Sequence, residues 1–325
     1  MPRGGKAEGQ INLDTRQIIL ELRKFLSPQK PVSLRFCLYQ LVSRGLLSST
    51  GRKDYTKLMR ALLTARIRGA DSEWGIDDDC IVDNRRRVEE NPTWNGLQEF
   101  KRWAASIYIR DHWATQPVHF ECWLEKDTAA FLVSEVTSKY NVPLRVSTGS
   151  FSRSFLVHAA DRIHSELPKP STVVYVGDCD AKGWDIERAA REGNGQCGAR
   201  RREGLLHILQ KRHGWTAEEC RERITWRRLA VTERDFRAMP ARYKVNVKSI
   251  PRKDKQGNLI EQGDATAPQY VRKFGKLCCE LEALEVWKPG SIAERLEKAI
   301  RDSIAWPEWN KSAAREERER AQLIA

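Results

Sequence analysis

Three carboxylates stand where alternating strands and helices would gather them around a hard cation. Glu125 follows the run Val118-His-Phe-Glu-Cys-Trp-Leu124, and Asp178 and Asp180 follow Thr172-Val-Val-Tyr-Val176 in the segment Gly177-Asp-Cys-Asp-Ala-Lys-Gly183. In open α/β sheets ligands bind beyond the carboxyl ends of the strands. If these two strands are neighbours, the three acids meet at one edge. Such a group repels itself without a cation, and carboxylate oxygens with water positions left over suit Mg²⁺ (or Mn²⁺). Beside a phosphate, that ion neutralises charge developing in a transition state. D-x-D by itself is a weak signal, because acids at strand ends also serve as helix N-caps. The combination with Glu125 carries the expectation.

The elements that must position these acids follow from periodicity. Val118 to Leu124, Leu144 to Ser147, Thr172 to Gly177 and Trp226 to Val231 read as strands, with helices expected over 127–139, 151–166 and 183–192. Alternation on this scale indicates α/β architecture with a parallel sheet covered on both faces. Ahead of it, apolar residues at helical spacing predict three helices: one from Leu13 to about Leu26, one capped by Ser33 and closed by Gly45, and one from Asp54 to Arg68 stopped by Gly69. The third carries Lys57, Arg60, Arg66 and Arg68. With a wing over Trp74 to Val82, this arrangement predicts an N-terminal winged helix-turn-helix; a plain three-helix bundle with a solvated basic face is the alternative. The expected divisions are a flexible tail over 1–12, the winged helix over 13–90, a connector with one helix over 91–116, the α/β domain over 117–300 and a charged helical tail over 301–325.

Composition narrows the partners. A net charge of +13 on 325 residues favours a polyanion such as double-stranded DNA. The eight cysteines include no C-x-x-C pair, which disfavours zinc and fits a reducing compartment. A polar start and the lack of a long apolar run predict a cytoplasmic, nucleoid-associated protein with no membrane span. No G-x-x-x-x-G-K-[ST] segment offers an ATP site.

Leu124-Glu-Lys-Asp127 together with Gly177-Asp-Cys-Asp-Ala-Lys-Gly-Trp-Asp-Ile186 resembles the Toprim domain. Arg228-Leu-Ala-Val-Thr232, Met239-Pro240 with Lys244, and Cys279-Glu-Leu-Glu-Ala-Leu284 resemble, in order, further stretches of the Spo11 and topoisomerase VI A-subunit family. Ser33-Leu-Arg-Phe-Cys-Leu-Tyr39 is similar to that family's winged-helix element bearing the nucleophilic tyrosine. The chain departs from it at Ala181, where many members have proline, and at Leu38, where many have a second tyrosine.

The resemblance implies Mg²⁺-dependent cleavage of double-stranded DNA, with Tyr39 attacking to form a 5′-phosphotyrosyl link and Glu125, Asp178 and Asp180 holding the metal. It also implies a homodimer whose active sites each combine two protomers, and a separate ATPase subunit for strand passage. Lys57, Arg60, Arg66, Arg68 and Lys244 are the expected DNA contacts. Arg35, one helical turn before Tyr39, shares its face and could hold a phosphate beside the phenol. Two alternatives stand beside this reading: a hydrolytic Toprim nuclease of the plasmid-defence type that works without the tyrosine, and a DNA-binding protein with no turnover.

Overall fold

The computed structural model describes residues 11–27, 31–81, 91–193, 203–247, 249–253, 259–263 and 267–324. Its chain divides into two units, one formed by 1–86, 239–244 and 282–289 and the other by 87–238, 245–281 and 290–325.

In the first unit the amphipathic segments fold as α1 (Leu13–Arg23), α2 (Leu34–Ser43) and α3 (Arg52–Arg68). The first two have a side-chain cap. Asn12 accepts a hydrogen bond from the Thr15 amide, and Ser33 accepts one from Phe36. The stripes Ile18, Ile19 and Leu22, then Cys37, Leu38 and Leu41, then Leu58, Ala61, Leu62 and Ala65 are buried against one another. Burial of each large side chain contributes roughly 1.5–3 kcal/mol. The expected wing is not a hairpin among the described residues. Asp78–Cys80 forms a short 3-10 turn, with Asp77 capping the Asp79 amide, and Ile81 makes a single parallel bridge to Val32. Three consecutive aspartates favour such a capped turn over a strand. Val82, the last residue of that expected wing, lies outside the described residues.

The second unit begins with α4 (Leu97–Ile107). It continues through β1 (His119–Leu124), α5 (Ser134–Lys139), β2 (Leu144–Val146), α6 (Arg153–Ser165), β3 (Ser171–Val176), α7 (Ala181–Glu192), α8 (Leu205–His213), α9 (Ala217–Arg223), β4 (Ile224–Ala230) and α10 (Glu233–Ala238). Next come the short strands β5 (Val245–Asn246), β6 (Ser249–Lys253) and β7 (Leu259–Gly263), then α11 (Ala267–Phe274) and β8 (Leu277–Cys278). Of the last helices, α12 (Leu281–Trp287) falls almost wholly in the first unit, whereas α13 (Ser291–Ser303) and α14 (Trp306–Ile324) close the second.

The central sheet is four parallel strands in the order β2-β1-β3-β4. Side chains alternate across it. Trp123, Val173 and Tyr175 pack with Leu156, Ile163, Ile186, Leu205 and Leu209 from α6, α7 and α8. Residues of the opposite parity, Phe120, Cys122 and Leu124, are equally buried on the other face, where Trp113 lies 5.9 Å from Phe120.

The expected charged helical tail is helical and anchored. The Tyr108 hydroxyl donates to Glu319 at 2.6 Å, Arg110 pairs with Glu319 at 2.9 Å, and Trp309 packs on Trp113 and His112. Thus α14 is held against the connector that carries α4.

Candidate active site

β1 and β3 run in register from His119 beside Ser171 to Leu124 beside Val176. This register brings the two strand ends level and places Glu125 across from Gly177-Asp178. The Glu125 amide donates to Val176, and Glu125 Oε2 accepts from the Asp178 amide at 2.9 Å and lies 3.3 Å from the Tyr175 hydroxyl. The fit is tight. A methyl group at Gly177 would stand 2.5 Å from Glu125 Oε2 and from the Tyr175 ring, and one at Gly183 would stand 2.5 Å from the Asp178 carbonyl oxygen.

Asp180 is the N-cap of α7, with Oδ1 accepting from the Gly183 amide at 2.6 Å. Asp178 Oδ1 accepts from the Leu281 amide at 2.8 Å. The turn between the two aspartates is zipped to a distant segment, because Cys179 and Cys279 exchange backbone hydrogen bonds at 2.8 and 3.0 Å. That pairing delivers Glu280 to the same place. Lys126 completes the cluster, its ammonium 3.0 Å from Asp178 and 3.5 Å from Glu280.

Beneath the turn lies Arg228 of β4. It pairs with Glu187 at 2.7 Å and donates to the carbonyl oxygens of Gly177, Asp178 and Val231 at 2.9–3.2 Å. Its guanidinium also stands over the Trp184 and Tyr175 rings. Arg228 therefore fixes the backbone from which Asp178 projects.

Electrostatics record the crowding. Glu125 is 7% exposed, and burial first, then the charges of Asp178 and Asp180, push its carboxyl up to about 8. Asp180 is also raised, by burial, by Asp178 and by Glu280. Glu121, four residues before Glu125, is the contrast. Burial works to raise it, but hydrogen bonds from His119 and Arg145 outweigh burial and bring it to about 2. His119 is thus a structural partner of Glu121.

Two expected outcomes follow. Glu125 titrates near 4.5 in an unfolded chain and about 8 in the folded one, so between those values the folded chain binds the extra proton. Stability in EDTA should therefore fall as pH rises from 5 to 8, and the slope should flatten in Glu125→Gln; equal slopes in urea melts of the two proteins would contradict this. Gly177→Ala forces Glu125 or Tyr175 to move and should cost about 1–3 kcal/mol, read as a lower denaturant midpoint. An unchanged midpoint would show that the site has slack.

The oxygen-only donor set suits a hard divalent cation, and Mg²⁺ usually takes one or two carboxylates and keeps several waters. Among the described residues, however, no group of three or more His, Cys, Asp or Glu side chains is drawn together into a ligand shell. The residues fit an ion held in part through water. Sequence reasoning missed Lys126 and Glu280 as members of this cluster, although both lie inside the segments that carried the resemblance.

The remaining expected residues are in the first unit. Tyr39 lies within α2 and is 5% exposed. Arg35 stands 3.8 Å from the buried carboxylate of Glu282, a long ion pair. On α3, Lys57 pairs with Asp14 at 2.9 Å and Arg66 with Asp78 at 2.6 Å. Arg60 and Arg68 are exposed and make no ion pair among the described residues, and Lys244 follows the turn Ala241–Tyr243. No helix of the described residues is long and apolar enough to cross a membrane. Neither a scan against protein-family models nor searches of the curated proteins and of the solved structures finds a match to this chain.

Proposed function

We propose that this chain cleaves double-stranded DNA at the Glu125, Asp178 and Asp180 cluster with a divalent cation, in the manner of the Spo11 and topoisomerase VI A-subunit proteins it resembles. The first unit would be its winged-helix DNA-binding domain and the second a Toprim domain. The observation that carries the reading is the gathering of acids at the ends of adjacent parallel strands, where burial and then the charges of Asp178 and Asp180 push Glu125 up to about 8. A bound Mg²⁺ or Mn²⁺ would offset developing negative charge on the phosphate and its leaving oxygen.

The chain's own residues divide the work. Asp178 and Asp180 present oxygens on a turn braced by Arg228, and Glu125 ties the two strands together while facing the same space. In the tyrosine route the phenolic oxygen of Tyr39 bonds to phosphorus, the bond to the 3′ oxygen breaks, and the phenolic proton passes to solvent, which returns a proton to the departing 3′ oxygen to give the 3′ hydroxyl. The resemblance supplies the homodimer in which each tyrosine serves its partner's acids, and the separate ATPase subunit for strand passage.

The burial of Tyr39 favours a second reading, hydrolysis by water with no covalent intermediate. A denaturant-quenched reaction of the full chain with supercoiled plasmid and Mg²⁺ separates them. Protein bound to 5′ ends, absent in Tyr39→Phe, supports the tyrosine route. Cleavage that survives Tyr39→Phe and stops in Asp178→Asn supports water. No cleavage under any condition leaves a DNA-binding protein without turnover.

Contact between α3 and the backbone phosphates makes a further outcome measurable. Arg60→Ala should weaken binding evenly across sequences and reduce the slope of log affinity against log salt by about 1. Lys57→Ala should do less, since Asp14 already neutralises that ammonium. Equal effects of the two would remove α3 as the contact surface.

A further inference from the structure

The cluster already holds one cation of its own. The Lys126 ammonium touches Asp178 at 3.0 Å and Glu280 at 3.5 Å, and its charge also acts on the neighbouring carboxyls of Glu125 and Asp180. The lysine is one residue past Glu125, and its side chain is only 15% exposed. An ammonium in such a place offsets acid repulsion and so stabilises the fold. It also competes for the same oxygens with any divalent ion that enters.

We infer that Lys126 is a displaceable internal counter-ion, and that Glu280 is the carboxylate that receives its ammonium when a divalent cation takes Asp178. The inference rests on the proposed reading that a divalent cation binds here. Geometry supports the division of labour between the two acids. Asp178 is fixed by the Leu281 amide and projects from the braced turn beside Glu125 and Asp180, whereas Glu280 arrives from a different segment through the Cys179–Cys279 pairing. An ammonium that shifts fully onto Glu280 need not leave the protein, so the exchange requires only a side-chain movement. The acids are then never left without a cation, with or without the divalent ion.

The two partners of one bridge should consequently act on metal affinity with opposite signs. Mn²⁺ binding to the metal-stripped full chain, followed by the electron paramagnetic resonance of free Mn²⁺, reads this without any cleavage assay. Lys126→Met should bind Mn²⁺ about tenfold tighter than wild type, since the competitor is gone. It should also melt lower in EDTA, and Mn²⁺ should restore it. Glu280→Gln should bind more weakly, because the ammonium then stays on Asp178. In the Lys126→Met background, Glu280→Gln should have no further effect on affinity, which separates a receiver of the ammonium from a direct ligand.

Wild-type binding with Lys126→Met no tighter, or weaker, overturns the inference and leaves the proposed function standing. Persistence of the Glu280→Gln effect in the double variant also overturns it, by making Glu280 a ligand. If neither wild type nor Lys126→Met takes Mn²⁺, the metal reading and the inference fall together. If Lys126→Met folds only with Mn²⁺ present, the ion replaces the ammonium as inferred; failure to fold even then counts against it.

Discussion

Arg228→Met is expected to destabilise the protein by about 3–5 kcal/mol, the usual cost of removing one partner from a buried charged pair. Its side chain is 10% exposed and its partner Glu187 13%, so the carboxylate left behind cannot recover full hydration. The carbonyl oxygens of Gly177, Asp178 and Val231 lose their donor at the same time. The melting temperature should drop by roughly 10 °C. Arg228→Lys should recover only part of this, because one ammonium cannot serve Glu187 and three carbonyl oxygens with the geometry of a planar fork. Under the proposed function metal affinity should fall in both variants, since the turn that presents Asp178 is what the guanidinium holds. A loss below about 1 kcal/mol for the methionine variant, near that of a single ordinary hydrogen bond, would show that the turn does not depend on this residue.

The largest effect on activity is expected from Asp178→Asn. Under the proposed function it should lower plasmid cleavage by about a thousandfold, comparable to removing one preorganised electrostatic group from a transition state. Asparagine keeps an oxygen for the Leu281 amide, so the fold should survive; what it loses is the charge that attracts a cation. DNA affinity measured without metal should stay within a few fold of wild type, because the basic residues of α3 are untouched. Cleavage that persists in this variant would place the chemistry elsewhere in the chain.

Local signals made much of the scaffold legible. The run Val173 to Val176 is fully buried because β3 is covered on both faces, and Ser33 and Gly45 bracket α2 through a cap and a positive φ. The neighbouring of β1 and β3, on which the acid cluster depends, was an assumption that the register bears out. The helix expected over 127–139 is instead a 3-10 segment, Asp127–Leu132, followed by α5, with Val133 out of helical conformation between them. Both α8 and α9 went unread, although Thr216 and Glu219 form a capping box that opens α9.

What no local pattern reveals is contact between distant segments. Lys126 and Glu280 are 154 residues apart, and the links from Tyr108 and Arg110 to Glu319 span more than 200. Nor does the spacing of Arg35 and Tyr39 disclose Glu282, which comes within 3.8 Å of the guanidinium from another part of the chain. Position on a shared helix face says which residues are close, and a third residue decides what they do.

The matched ladder between β1 and β3 acts as a ruler with a two-residue unit. Side chains on a strand point alternately to opposite sides, so inserting one residue between His119 and Glu125 would turn the glutamate toward the far layer of helices. Inserting two would restore its direction but carry it about 6–7 Å past the aspartate turn. Length changes in this protein should therefore be tolerated in the surface loops before β1 and β3 and rejected within them, and a deletion scan across 118–126 would trace that boundary directly.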